Sequence, residues 1–279
     1  MKKLYYIEEN PNKKDSILFL HPKFLGNWIF IKQENTFNNY NNLFIDLLGH
    51  GKSDFEEFSF DKCIDYLLDI IKEKNKKGEV HLVGIDLGGQ IALRILARYP
   101  DLIGKVIISG VYYQDKEEVK ERKNSIVNFL DKTKRLILDK KDETFLIKAY
   151  LRHYGLKSKY YSLINDSYSK FNQEELKNLA YNNLNYTLDK AKDYKKASDL
   201  MIIYGDKESK TVQKSAYCIH ELYKGSEIIK IKDGIELENI KNPNVINSLI
   251  CDFLNELIIN DTYKIKNIEF NLTVNTKGI

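Results

Sequence analysis

Residues 79–89 read EVHLVGIDLGG and decide how the chain is read. Val80, Leu82 and Val83 form an apolar, partly β-branched run that climbs into Gly84. Such a run, bounded by glycine, predicts a buried strand. After Ile85, Asp86 and Leu87 come Gly88 and Gly89, and then QIALRILARYP, an amphipathic segment that predicts a helix ending at Pro100. The reading is strand, sharp turn, helix, with Asp86 at the turn. Glycines suit such a turn because side chains there would collide with the flanking backbone. A carboxylate just before a helix N-terminus is electrostatically favoured, so the position suits Asp86.

Outward from this stretch the alternation of strand and helix continues. Residues 3–8 predict an edge strand, and 16–21 and 42–47 predict buried parallel strands. Apolar residues at 60, 64, 67, 68 and 71 trace one helical stripe. KVIISG at 105–110 and DLMIIYGDKE at 199–208 predict two further strands. The segment 226–257 predicts a last strand and a closing helix, with Asn242 as N-cap and Pro243 in the first turn. Residues 112–197 interrupt the pattern. They are rich in Lys, Tyr and Leu, hold one glycine and show helical periodicity. The tail YKIKNIEFNLTVN alternates with period two and predicts an added strand.

The motifs, in this order, resemble the α/β-hydrolase superfamily. Its nucleophile turn reads G-x-S-x-G; here Gly84-Ile85-Asp86-Leu87-Gly88 carries aspartate where serine usually stands. SILFLHPKFLGNW at 16–28 resembles the first core strand and its His-Gly oxyanion loop, and NLFIDLLGHGKSD at 42–54 resembles the family's Asp-x-x-Gly-His-Gly-x-Ser turn. The resemblance implies an α/β fold: a mostly parallel central sheet flanked by helices. It implies a core over 1–111 and 198–260 and a helical cap over 112–197 between the sixth and seventh family strands; the C-terminal extension over 261–279 is not explained by the resemblance.

The same resemblance implies what chemistry to look for. Members with an aspartate nucleophile attack a saturated carbon, as in epoxide hydrolases and haloalkane dehalogenases, and a histidine after the last strand then activates water to cleave the ester. Glu208 matches the family's Gly-x-x-acid position, with Asp206 as the weaker substitute. The histidine position does not match: Gly234 is followed by Ile235. Of the five histidines, His21, His50, His81 and His220 fall at structural positions, with His50 in a turn at the rim. Only His153, in the cap, is left to reach the pocket, from an unusual direction, or else to stand as a solvated cap histidine. Pro22 and Lys23 replace the usual oxyanion-loop residues, and proline has no N–H to donate. Lys23 or Phe24 is therefore expected near Asp86, Lys23 either pairing with it or extending to solvent. Leu87 stands where many haloalkane dehalogenases carry a halide-holding tryptophan, which counts against dehalogenation.

Ordinary ester hydrolysis is the least expected activity, because the charge on Asp86 would repel the developing oxyanion. The readings left open are an atypical enzyme in which Asp86, alone or with His153, serves as base for a lyase, cyclase or isomerase step, an epoxide- or halide-type hydrolase with its base elsewhere, and a pseudohydrolase that binds a ligand or partner.

Composition narrows the setting. The 279 residues are 43% hydrophobic, enough to bury a sizeable core, and carry 44 basic and 40 acidic residues for a net charge of +4. That balance gives no pull toward nucleic acid or anionic membrane. Cys63, Cys218 and Cys251 are scattered and fit neither a disulfide framework nor a zinc site. No run approaches the ~20 apolar residues of a membrane span, and MKKLYYIEENPNKKD lacks the apolar stretch of a signal peptide. A cytoplasmic protein taking a small-molecule ligand, without metal or cofactor, is the expectation.

Overall fold

The computed structural model describes residues 4–114, 147–148, 151–152, 154–188 and 199–257. His153, the extension 261–279 and much of the 112–197 segment lie outside them.

Among the described residues seven strands form one sheet: β1 (Tyr6–Glu9), β2 (Ser16–Leu20), β3 (Asn41–Ile45), β4 (Val80–Ile85), β5 (Val106–Ser109), β6 (Leu200–Gly205) and β7 (Glu227–Ile231). Their order is β1-β3-β2-β4-β5-β6-β7, and only β1 runs antiparallel. The edge strand β1 shows a mixed burial pattern, whereas β2, β3, β4 and β6 are buried throughout. That contrast is expected of a parallel sheet covered on both faces.

Among the described residues the helices include α1 (Phe60–Asn75), α2 (Leu87–Arg98), α3 (Tyr161–Tyr168), α4 (Gln173–Leu184), α5 (Lys210–Leu222), α6 (Glu238–Lys241) and α7 (Pro243–Leu254). The α1 stripe read from the sequence is buried at every position, together with Cys63. α2 differs from a one-faced helix. Residues 87–93, 95 and 96 are all buried, including Gln90, because Asn183 and Tyr186 from the 112–197 segment pack on the side away from the sheet. The guanidinium of Arg94 lies over the rings of Phe60 and Tyr186 at 4.6 and 5.3 Å. The capping expectation at 242–243 needs a correction. Pro243 does open α7 and Asn242 is its N-cap residue, but the Asn242 side chain makes no cap and donates to Glu238 instead.

The register aligns the strands' C-terminal ends. Leu20 pairs with Gly84, Ile85 with Ser109, Ser109 with Ile203, and Gly205 with Ile231. The loops that leave these ends therefore share one edge of the sheet, the edge where open α/β sheets bind ligands.

Candidate active site at the C-terminal edge of the sheet

The turn between β4 and α2 is built by close backbone approach. A Cβ on Gly84 would lie 2.5 Å from the carbonyl oxygen of Gly88, and one on Gly88 would lie 2.0 Å from that of Leu20. Only glycine fits at either point. Asp86 has φ 49° and ψ −110°, a conformation L-residues rarely adopt. Its N–H donates to Ser109 O at 2.9 Å, and its carbonyl accepts the Gln90 N–H at 2.9 Å, the first bond of α2. Sheet and helix thus hold the strained residue from both sides.

Asp86 is 3% exposed. Its Oδ2 accepts from the Lys23 ammonium at 2.8 Å and from the Lys23 backbone N–H at 3.2 Å. Its Oδ1 accepts from Asn183 Nδ2 at 3.0 Å. Asn183 also donates to Gln90 Oε1 at 2.9 Å, and Gln90 Nε2 donates to the carbonyls of Asn183 and Tyr112. Burial works against the Lys23 charge, but Asp86 and Glu236 outweigh it and hold the ammonium above the ordinary lysine range. Of the two outcomes open for Lys23, the structure has the ion pair.

The loop after β2 is fixed by two neutral histidines. His21 Nε2 accepts the Leu47 N–H at 2.9 Å while Nδ1 faces Pro22 O at 2.7 Å. His50 Nε2 accepts the Phe24 N–H at 3.3 Å, and its Nδ1 faces Leu48 O at 2.9 Å. Burial lowers the two rings' pKa values to about 4 and about 3. His50 is 1% exposed, so it is not at the rim as expected from the sequence but under it. Phe24, at φ 63°, sends its N–H to His50 and its ring to Tyr168 and Phe171. Near Asp86 the donor is therefore Lys23 and not Phe24. Asp46 anchors the neighbouring turn, accepting N–H bonds from Asn27 and Lys52. His81 accepts the Lys105 N–H within the sheet, and His220, on α5, faces Ser226.

The acidic side comes from the loops after β6 and β7. A Cβ on Gly205 would meet the Gly234 carbonyl at 2.2 Å, so the two loops touch backbone to backbone, and Lys207 N–H donates to Gly234 O at 2.9 Å. Glu208, the sequence's candidate acid, and Glu236 both approach Gly110: their Oε1 and Cγ lie 3.5 and 3.4 Å from where its Cβ would be. Oε2 of Glu208 is buried without a hydrogen-bond partner among the described residues. Burial, with the charge of Glu236 second, pushes Glu208 up to about 8. Burial also pushes Glu236 up, to about 7; Lys23 opposes the shift, Asp86 adds to it, and Tyr154 is hydrogen-bonded to the carboxyl.

Two functional candidates escaped the sequence. Ile235 follows Gly234, as read, but its N–H donates to Glu238 Oε1 at 2.9 Å and its Cδ1 packs near Gly155. The next residue, Glu236, is the one that reaches Lys23 and Asp86 electrostatically. Only the left-handed turn at Leu237, φ 68°, signals this, and no sequence pattern announces a left-handed leucine. Asn183 was one asparagine among many in an Asn-rich segment. Among the described residues no group of three or more His, Cys, Asp or Glu could hold a metal ion, and no helix is long and apolar enough to cross a membrane.

Comparison with known proteins agrees with this architecture. Residues 16–234 match the family model described as alpha/beta hydrolase fold. An AB hydrolase superfamily protein of Gibberella zeae is 32% identical over 114 residues, 38% of this chain and 39% of that protein. A haloalkane dehalogenase of Mycolicibacterium paratuberculosis is 26% identical over 114 residues, 39% of this chain and 38% of that protein. The chain thus matches well under half the length of these curated relatives. Among solved structures, a hydrolase from Pseudomonas aeruginosa PA01 superposes with a TM-score of 0.70 at 14% identity, covering 90% of this chain and 94% of that one. A bromoperoxidase from Bacillus anthracis gives 0.68 at 18% identity, covering 90% and 95%. At such identities the likeness is one of fold, and it coincides with the family match over most of the sheet: the chain belongs to the α/β hydrolase fold family.

Proposed function

We propose that this protein is an atypical hydrolase of a small molecule, in which the Asp86 carboxylate attacks a saturated carbon of the epoxide class. The observation that carries this is the Lys23–Asp86 contact. The Lys23 N–H lies in the loop that would supply an oxyanion donor for acyl transfer, and here it is bonded to Asp86 Oδ2. Attack on an ester would need that donor for a new oxyanion, beside a carboxylate of the same charge. Displacement at saturated carbon has the opposite electrostatics. As Oδ1 bonds to carbon, Asp86 loses its charge and the leaving oxygen gains one. The Lys23 ammonium, 2.8 Å from Oδ2, then transfers its attraction from the nucleophile to the alkoxide.

Epoxide fits these residues better than halide. An alkoxide leaving group takes up a proton, and Glu208 and Glu236 are carboxyls held up toward the neutral range. Leu87 offers no side-chain N–H for a halide. The haloalkane dehalogenase similarity supports the shared carboxylate attack and covers too little of that protein to support its substrate.

A second reading is a pseudohydrolase that only binds a ligand or partner. The hydrogen bond from Asn183 to Oδ1 and the near-complete burial of Asp86 favour it. Intact-mass analysis after incubation with epoxide, haloalkane and p-nitrophenyl ester panels separates the two. The hydrolase reading expects diol formation or an adduct on Asp86 from at least one epoxide, absent in Asp86→Asn, and no ester turnover. No adduct and no product from any electrophile would sink it and leave the binding reading.

A further inference from the structure

We infer that Glu236 is the proton-transfer residue of this site, doing the work for which the family uses histidine, with Glu208 as the positioning residue beside it. The inference rests on the carboxylate-attack reading above. Its first support is placement. Glu236 leaves the C-terminal end of β7 two residues after Gly234, on the loop where the missing histidine would stand, and packs against Gly110 together with Glu208.

The second support is how the loop is held. Asp233 and Leu237 bracket Glu236 with φ values of 55° and 68°, and Leu237 is buried at 1% exposure. Left-handed conformations at non-glycine residues persist only where the surroundings enforce them, and they concentrate at functional sites. Here the enforcement is visible. Glu238, 3% exposed, accepts the Ile235 N–H and is bonded by Lys241 and Asn242. Gly205 packs on Gly234, and the Ile231 carbonyl accepts the Gly234 and Asp206 N–H groups. A buried carboxylate is thus spent on holding the short loop whose central side chain is Glu236.

The third support is the charge around it. Lys23 and Asp86 act on Glu236 from the β2 and β4 loops and Tyr154 by a hydrogen bond, and Glu236 in turn acts on Glu208 of the β6 loop. Tyr168 faces Lys23, and Glu238 acts on Glu208. Burial raises Glu236 most, Lys23 and Tyr154 oppose it and Asp86 adds to it, which leaves the carboxyl at about 7, where a residue can both give and take a proton.

The steps balance. Asp86 Oδ1 bonds to an epoxide carbon, the C–O bond breaks, and the Glu236 carboxyl proton goes to the departing oxygen. The Glu236 carboxylate then takes a proton from water as the hydroxide adds to the Asp86 ester carbonyl. The tetrahedral species collapses by breaking its bond to the alkoxide, which takes the remaining hydroxyl proton. The diol leaves, Asp86 is again a carboxylate and Glu236 again carries its proton.

The test uses the full chain with 13C-labelled glutamate and the variants Glu236→Gln, Glu236→Asp and Glu208→Gln, each checked for folding by circular dichroism. NMR titration should show two glutamate carboxyls titrating near neutrality; Glu236→Gln should remove one and move the other down, and Glu208→Gln should remove that other one. If every glutamate titrates in the ordinary acidic range, or if Glu236→Gln removes no neutral-range signal, the inference is overturned. With styrene oxide as probe, Glu236→Gln should lower adduct release about 10²–10⁴-fold, and Glu236→Asp should restore part of it. Release unchanged in Glu236→Gln would also overturn the role. Failure of styrene oxide to mark Asp86 in any variant counts against the Asp86 reading, while the titration still decides for or against Glu236.

Discussion

Replacing Lys23 by methionine is expected to destabilise the protein by about 2–3 kcal/mol. Methionine keeps the length and apolar stem of lysine and removes the charge. Breaking a buried ion pair from one side costs about 3–5 kcal/mol, because the remaining charge is left in low dielectric. Asp86 is 3% exposed, which argues for the full cost. The Lys23 side chain retains 24% exposure, and Asp86 keeps the backbone N–H of residue 23 and the Asn183 amide, which argues for the lower part of the range. For a chain of this size, 2–3 kcal/mol corresponds to a drop in Tm of about 4–12 °C. Adding Asp86→Asn should recover most of the loss, since no charge then remains unpaired. The four proteins form a double-mutant cycle, measured by urea unfolding with tryptophan fluorescence from Trp28, the chain's single tryptophan. The reasoning about the ion pair fails if Lys23→Met costs less than about 1 kcal/mol, or if the double variant is no more stable than Lys23→Met alone.

Gly88→Ala should cost more than about 3 kcal/mol, beyond the usual range for overpacking, because its Cβ would sit 2.0 Å from a Leu20 carbonyl fixed by strands on both sides; soluble yield and Tm check this. Stability should also fall as pH rises above about 6.5. The folded pKa values of Glu208 and Glu236 lie above the ordinary 4.5, so their contribution is complete below that value and disappears as pH climbs through about 7 and 8. His21 and His50 work in the opposite sense: their folded values lie below 6.5, so their contribution is complete above it and disappears as pH falls toward about 4 and 3. The two pairs offset each other between about 4.5 and 6.5, leaving the carboxyls to set the slope above. Calorimetric Tm values from pH 6.5 to 8.5 should decline, and the decline should flatten in the Glu208→Gln, Glu236→Gln double variant; a flat wild-type profile would contradict the burial of these carboxyls.

The sequence by itself determined the strand-turn-helix at residues 80–98 and where along the chain the parallel strands fall, but not their order in the sheet. Strand runs, glycine spacing and the α1 stripe are local signals, and their physical causes act within a few residues. It also determined that Asp86 stands at the turn, because only glycines at 84 and 88 allow the backbones to approach. The partners of Asp86 were legible only in part. Lys23 was foreseeable because Pro22-Lys23 interrupts a loop whose place in the fold was known. Asn183 and Glu236 were not. Asn183 reaches Asp86 across 97 residues of chain, and its identity among neighbouring asparagines is fixed by which face of α4 meets α2. Glu236 was missed for a different reason. The family pattern directs attention to the residue after Gly234, but in a loop with a left-handed leucine and a buried Glu238 it is residue 236 that packs against Gly110 beside Glu208. Which residues adopt positive φ, and which carboxyls lose their water, is settled by packing between distant loops, so the electrostatics of the site belong to the tertiary structure alone.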